Sequence, residues 1–223
     1  MKSSTATLLP LARPDAVLAP LLGLASLALY IRTLAPGLLD GDSGEFQTLV
    51  YSLGMTHPTG YPVYVLLGRL FTLLPLGGLA WRVNLFSAVL GALTVSCTYL
   101  IVRLLAGWRL AAVTAALTLA VAPLFWAFSI ITELYVPACA FLSVIILFLL
   151  LWRKSGKWAW LSAAALLGGL SLGIHTSVAL AAPGVLVYLA LTTFTPRSFS
   201  RQELGRTWLA AIGGALLGIG IAF

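Results

Sequence analysis

The chain has 223 residues, 61% of them hydrophobic and 9% charged, with a mean hydropathy of +1.04 and a formal net charge of +7. Repeated apolar runs of about 17 to 24 residues exceed what a soluble core needs and match a hydrocarbon layer roughly 30 Å thick, which places the chain among all-α polytopic membrane proteins. The positive charge comes without basic and aromatic residues interleaved on a soluble face, so nucleic acid is excluded as a partner.

The first apolar segment covers residues 16 to 34. Lys2 and Arg13 flank its start, but it has full span length and reads as a retained helix, not a cleaved signal peptide. Further spans are expected at 82 to 105, 110 to 132, 134 to 152, 158 to 174, 176 to 194 and 207 to 223, making about seven in all. Lys and Arg are retained on the cytoplasmic side during insertion. With the N-terminus inside, only Arg32, Arg69 and Arg82 fall outside, while the basic residues near Arg103, Arg153 and Arg201 stay in. Residues 1–223 therefore read as one transmembrane module, or the N-terminal part of a longer protein, expected in a bacterial cytoplasmic membrane with a cytoplasmic N-terminus. Cys97 and Cys139 fall inside spans, without CxxC or Cys/His spacing, and read as packing residues. The Gly168-Gly169 and Gly213-Gly214 pairs follow no strand and read as close helix contacts. Arg32 reads as a snorkelling residue.

Between residues 35 and 81 lies a loop far longer than the others, and such loops usually carry function. It has two helical patterns, both too short to span. After Asp42, Phe46, Leu49, Val50 and Leu53 recur at helical spacing; after Pro62, Val63, Leu66, Leu67, Leu70, Phe71 and Leu74 do the same. Two helices lying at the outer interface are expected, joined by a turn from Gly54 to Pro62 whose two prolines fix the backbone around His57 and Tyr61.

Under this threading Asp40, Asp42, Glu45, His57, Glu133 and His175 all reach the outer side. Scarce ionisable residues gathered at one face mark a functional site in a membrane protein. Plainer readings stand beside this one. Asp42 and Glu45 have the spacing of a capping box, and Asn84 can cap the second span. Asp40 reads as a solvated loop acid. His57 can brace the turn, His175 can be an interfacial histidine, and Glu133, among Ile131, Leu134 and Tyr135, is costly unless paired or facing water.

Five motifs occur in order: Gly41-Asp42-Ser43-Gly44-Glu45, His57-Pro58-Thr59-Gly60-Tyr61-Pro62, Arg82-Val83-Asn84-Leu85, Glu133-Leu134-Tyr135, and Gly169-Leu170-Ser171-Leu172-Gly173-Ile174-His175-Thr176. This set resembles the protein O-mannosyltransferase-like membrane family, a former domain of unknown function within the GT-C glycosyltransferase superfamily. The resemblance implies a GT-C-like module and an enzyme moving a sugar, such as mannose, from a polyprenyl-phosphate donor to a hydroxyl on a protein or glycan. It implies Asp42 and Glu45 as catalytic residues and His57, Tyr61, Arg82, Asn84, Glu133 and His175 as substrate-binding residues. An inverting transfer needs a carboxylate to take the acceptor proton and positive charge for the departing phosphate. Asp42 suits the first task; Arg82 and Arg69 are the outer guanidiniums for the second. Glu45, Glu133 and His175 can orient substrate or hold a hard divalent metal ion, the one cofactor the residues leave open.

Two other readings remain at this stage. The chain can be a non-catalytic transmembrane subunit of a larger membrane complex. A transporter of lipid-linked substrate ranks lower, because transporters place ionisable groups near the bilayer midplane and here the acids gather at its boundary.

Overall fold

The structure, a computed structural model, describes residue 8, residues 11–194 and residues 201–223. Lys2 and Arg197, which contribute to the topology reading, lie outside the described residues. Ten α-helices occur among the described residues: α1 (Arg13–Thr33), α2 (Gly41–Ser52), α3 (Pro62–Thr72), α4 (Leu79–Ala106), α5 (Arg109–Ala120), α6 (Pro123–Ser129), α7 (Tyr135–Ser155), α8 (Trp158–Ser171), α9 (Ala182–Phe194) and α10 (Arg201–Ala222). A 3-10 turn, Thr176–Ala181, precedes α9. The all-α membrane class is as the composition requires.

The spans are less uniform than hydropathy implies. Among the described residues five stretches are long and apolar enough to cross a membrane: Arg13–Thr33, Leu79–Ala106, Tyr135–Ser155, Thr176–Thr193 and Gln202–Ala222. The expected third span is instead α5 and α6, bent by 63°, which makes a sixth if the pair counts as one. Pro123 opens α6 and has no N–H to donate, so the helical ladder cannot run through it. The expected fifth span is the 14-residue α8, about 21 Å long at 1.5 Å per residue and short of a full crossing. The two short helices of the 35–81 loop form where the periodicity places them.

The central helices are α4 and α7, with 56% and 61% of their most apolar stretch buried, against 28% in α1 and 11% in α10. Small residues allow close packing around them. Ser96 Oγ donates to the Ala19 carbonyl at 3.0 Å, tying α4 to α1. A Cβ added to Gly169 would meet the Ala215 carbonyl, and one added to Gly218 the Leu166 carbonyl, so α8 and α10 approach backbone to backbone. Gly214 belongs to the same contact, whereas Gly168 and Gly213 face open space.

One end of α4 is closed by charge. Asp15 of α1, fully buried, accepts from the Ala12 backbone N–H at 2.7 Å, Tyr99 OH at 2.9 Å, Arg109 Nε at 3.0 Å and Arg103 Nε at 3.2 Å. The other end of α4 faces the 35–81 loop.

Candidate functional site

The site is assembled by α2, the turn that follows it, and the segments leading into and out of α7 and α8. Helix α2 begins with Asp40 as its N-terminal flanking residue, so Asp42 lies one position inside the first turn, where its charge suits the helix dipole. Asp42 therefore does not cap, and Glu45 does not complete a capping box. Glu45 instead reaches across to the turn: Oε1 accepts from the His57 backbone N–H at 2.8 Å, and Oε2 lies 2.9 Å from His57 Nδ1. His57 does brace the turn, and it does so through a carboxylate of α2.

The pair tunes itself. The Glu45 hydrogen bond pushes the His57 imidazole above its ordinary range, and the His57 hydrogen bond holds Glu45 below the usual carboxylate value. Both side chains remain about one-third exposed, His57 at 37% and Glu45 at 32%. Asp42 is exposed and makes no hydrogen bond or ion pair among the described residues.

Glu133 comes to the same place from the segment between α6 and α7. Ser43 Oγ donates to its Oε1 at 3.3 Å, and burial, followed by the nearby Asp42 charge, raises its pKa. The requirement that such a carboxylate be paired or face water is met in part by each.

His175 arrives through a backbone contact. The first two N–H groups of α3, from Val63 and Tyr64, both donate to the Gly173 carbonyl, at 3.0 and 3.1 Å. They have no partner within their own helix, so the 169–176 segment supplies what α3 lacks. Val63 also sits where a Cβ of Gly173 would go, with Cγ2 at 2.6 Å, so the approach needs glycine. This contact brings His175 beside Tyr61, the rings stacked with centroids 6.0 Å apart, and beside Tyr135 at 5.7 Å. Tyr61 in turn meets His57 at 5.3 Å, with Phe46 underneath both rings. Tyr61 holds a left-handed backbone, φ 46°, a conformation rare for a bulky residue and found where surroundings over-determine it. Burial lowers the pKa of His175, the opposite direction to the shift at His57.

Asn84 and Arg82 lie elsewhere. Asn84 is fully buried beneath α2: its Oδ1 accepts from Gln47 Nε2 at 2.8 Å and Thr132 Oγ1 at 2.6 Å, and its Nδ2 donates to the Ala35 carbonyl at 2.9 Å. It is the sixth residue of α4, not that helix's cap. Arg82 points to the turn after α3, where Nη1 donates to the carbonyls of Thr72 at 2.6 Å and Leu74 at 2.8 Å. Arg69 donates to Thr72 Oγ1 at 2.9 Å and lies 4.8 Å from the centre of the Tyr51 ring.

Asp42, Glu45, His57, Tyr61, Glu133 and His175 thus share one face, while Arg82 and Asn84 serve the frame around it. A cavity of about 690 Å³ borders the same turn, but its walls come from residues 53–66 and the last two residues, without the acids. Asp42, Glu45 and His57 each offer a ligand atom, all within 4.8 Å of one another, so among the described residues this trio is the group able to hold a metal ion. The sequence assigns no role to Gln47, nor to Ser43 and Tyr135 within their motifs. Gln47 had a signal: a polar residue between Phe46 and Val50 on the apolar side of a short helix.

A sequence model of the protein O-mannosyl-transferase TMEM260 N-terminal domain matches residues 42–198, the stretch that carries all these residues. The chain belongs to that family. Within the TMEM260 family, a Mus musculus relative named protein O-mannosyl-transferase TMEM260 is 38% identical over 109 residues, 48% of this chain and 16% of the mouse protein. A Dictyostelium discoideum relative of the same name is 29% identical over 118 residues, 52% of this chain and 14% of that protein. The match therefore spans a small part of the length of either relative. No solved structure matches the chain.

Proposed function

We propose that this chain carries the catalytic face of a GT-C-type glycosyltransferase that moves a sugar, with mannose the first to test, from a polyprenyl-phosphate donor to a hydroxyl of a protein or glycan outside the membrane. The observation that carries the reading is Asp42: an exposed carboxylate with no hydrogen bond or ion pair among the described residues, beside a locked Glu45–His57 pair, inside the region that matches a family named for O-mannosyl transfer. Exposed and without a protein partner among the described residues, this carboxylate is free to accept a proton.

In the proposed step the acceptor oxygen attacks the anomeric carbon, the bond from that carbon to the donor phosphate breaks, and the acceptor proton passes to Asp42. Glu45 and His57 hold α2 and the turn in register, so the base has a fixed position. The exposed Tyr135 and the half-buried His175 offer ring faces on which a sugar can pack, with buried Tyr61 stacked behind His175. Glu133, held beside Ser43 and Asp42, can hydrogen-bond a sugar hydroxyl.

The decisive experiment supplies radiolabelled polyprenyl-phosphate sugars to the full-length purified protein with candidate acceptors. Label transferred to a hydroxyl is the expected result, and no transfer from any lipid-linked sugar would favour the reading as a non-catalytic subunit. The orientation is tested separately. With Cys97 and Cys139 replaced, a cysteine at the 89% exposed Met55 should react with an impermeant reagent in intact cells.

A further inference from the structure

The candidate face has an imbalance of charge. Asp42, Glu45 and Glu133 gather there, and among the described residues the one ion pair that reaches any of them is Glu45 with His57. The arginines that were the natural phosphate partners are committed elsewhere, Arg82 to the carbonyls of Thr72 and Leu74 and Arg69 to Thr72 and the Tyr51 ring. A donor phosphate brought to this face meets like charge, which opposes binding, and its departure adds more negative charge.

The same face has the ligands to correct the imbalance. Asp42 and Glu45 are three residues apart on one helix and share a side of it. His57 is pinned to them from the turn, because Glu45 holds its backbone N–H at 2.8 Å. Ligand atoms bound at about 2.1 Å to one ion lie about 3 Å apart when at right angles and about 4.2 Å apart when opposed. The Glu45 oxygen and His57 nitrogen are already 2.9 Å apart, and all three ligand atoms lie within 4.8 Å. Rotation of the exposed Asp42 side chain closes the remainder.

We propose that Asp42, Glu45 and His57 bind one hard divalent cation of the manganese or magnesium class, and that its open positions receive the donor's phosphate. Two carboxylates and one imidazole suit such an ion, and three protein ligands leave room for water or substrate oxygen. The ion supplies the positive charge that the arginines do not and stabilises the departing phosphate as a Lewis acid. A carboxylate has two oxygens, so Asp42 can ligate with one and face the acceptor with the other. The phosphate part rests on the transferase reading; the ion site does not.

The test uses the full-length protein, purified, stripped with EDTA and titrated with Mn²⁺ by electron paramagnetic resonance. Expected is saturable binding of one ion, competed by Mg²⁺, with Glu45→Gln and His57→Asn each weakening it at least about tenfold, the cost seen even for losing a partner that only supports a ligand. Asp40→Asn should bind as wild type does. Pulsed spectra of the wild type should show Mn²⁺ coupled to an imidazole nitrogen, a readout that needs no variant to fold. Absence of saturable Mn²⁺ binding, absence of nitrogen coupling, or unchanged affinity in both variants would overturn the site. Transfer that survives EDTA in protein binding no Mn²⁺ sinks the ion and keeps the transferase. Mn²⁺ held by the trio without transfer from any lipid-linked sugar keeps the ion and sinks the transferase.

Discussion

Helix α4 has a charged cluster at each end, and the two are satisfied to different degrees. At the Asp15 end one buried carboxylate receives four donors, two of them guanidiniums. At the Asn84 end three carboxylates share four donors, the His57 ring and backbone N–H, the Ser43 hydroxyl and the Leu134 N–H, and Asp42 has none of them. Both ends carry carboxylates; the number of donors per carboxylate separates a clamp from the proposed catalytic face.

Breaking the clamp should have the largest effect. Asp15→Ala leaves Arg103, 9% exposed, without its carboxylate, and removal of one partner from a buried pair costs about 3–5 kcal/mol. Thermal unfolding of the detergent-solubilised protein should show that loss, while transfer per folded molecule stays near wild type. Unchanged stability would mean that the two ends are not different in kind.

The reactive end should behave in the opposite way. Asp42→Asn keeps size and removes proton acceptance, so turnover should fall about 10²-fold or more with little change in unfolding temperature. Asp40→Asn, next to it, should remain active. Full transfer by folded Asp42→Asn would contradict the assignment of the base.

Asn84→Ala tests the frame beneath that end. It strands the Gln47 amide and the Thr132 hydroxyl in a buried place, at about 1–3 kcal/mol. A stability loss in that range with unaltered donor affinity fits a framing residue; a selective loss of donor affinity would return Asn84 to the substrate.

Glu133→Gln should be the mildest and the most informative about pH. Because the folded-state pKa lies above the ordinary glutamate value, the stability tied to the protonated form is complete below that ordinary value and is lost as pH rises through the folded one. The glutamine variant should therefore unfold at a higher temperature than wild type at pH 8, and the difference should shrink toward pH 4. A difference that grows on acidification would mean that Glu133 is stabilised as an anion.

How far the sequence foretold this depended on the kind of interaction. The helices from Gly41 and Pro62 were legible because apolar side chains repeat with the helical period, and the gathering of Glu133 and His175 with Asp42 followed from placing scarce charges on one side of a membrane. The break in the third span was also written in the chain, as Pro123, but hydropathy averages over a single proline. Arg82 was not legible. Its partners are backbone carbonyls, which every residue has, so charge and side were readable and direction was not. Asn84 was read as a possible cap because asparagine favours that position, yet a buried amide can also satisfy several neighbours at once, and only the fold says which.

The double contact at the Gly173 carbonyl bears on how this family can be recombined. The start of α3 and the loop after α8 are more than a hundred residues apart in the chain, yet neither completes its backbone hydrogen bonding alone. A chimera that takes residues 54–66 from one relative and keeps 169–176 from another would set a foreign helix start on an unmatched acceptor and move His175 relative to Tyr61. The workable unit of exchange is the pair of segments, transplanted together.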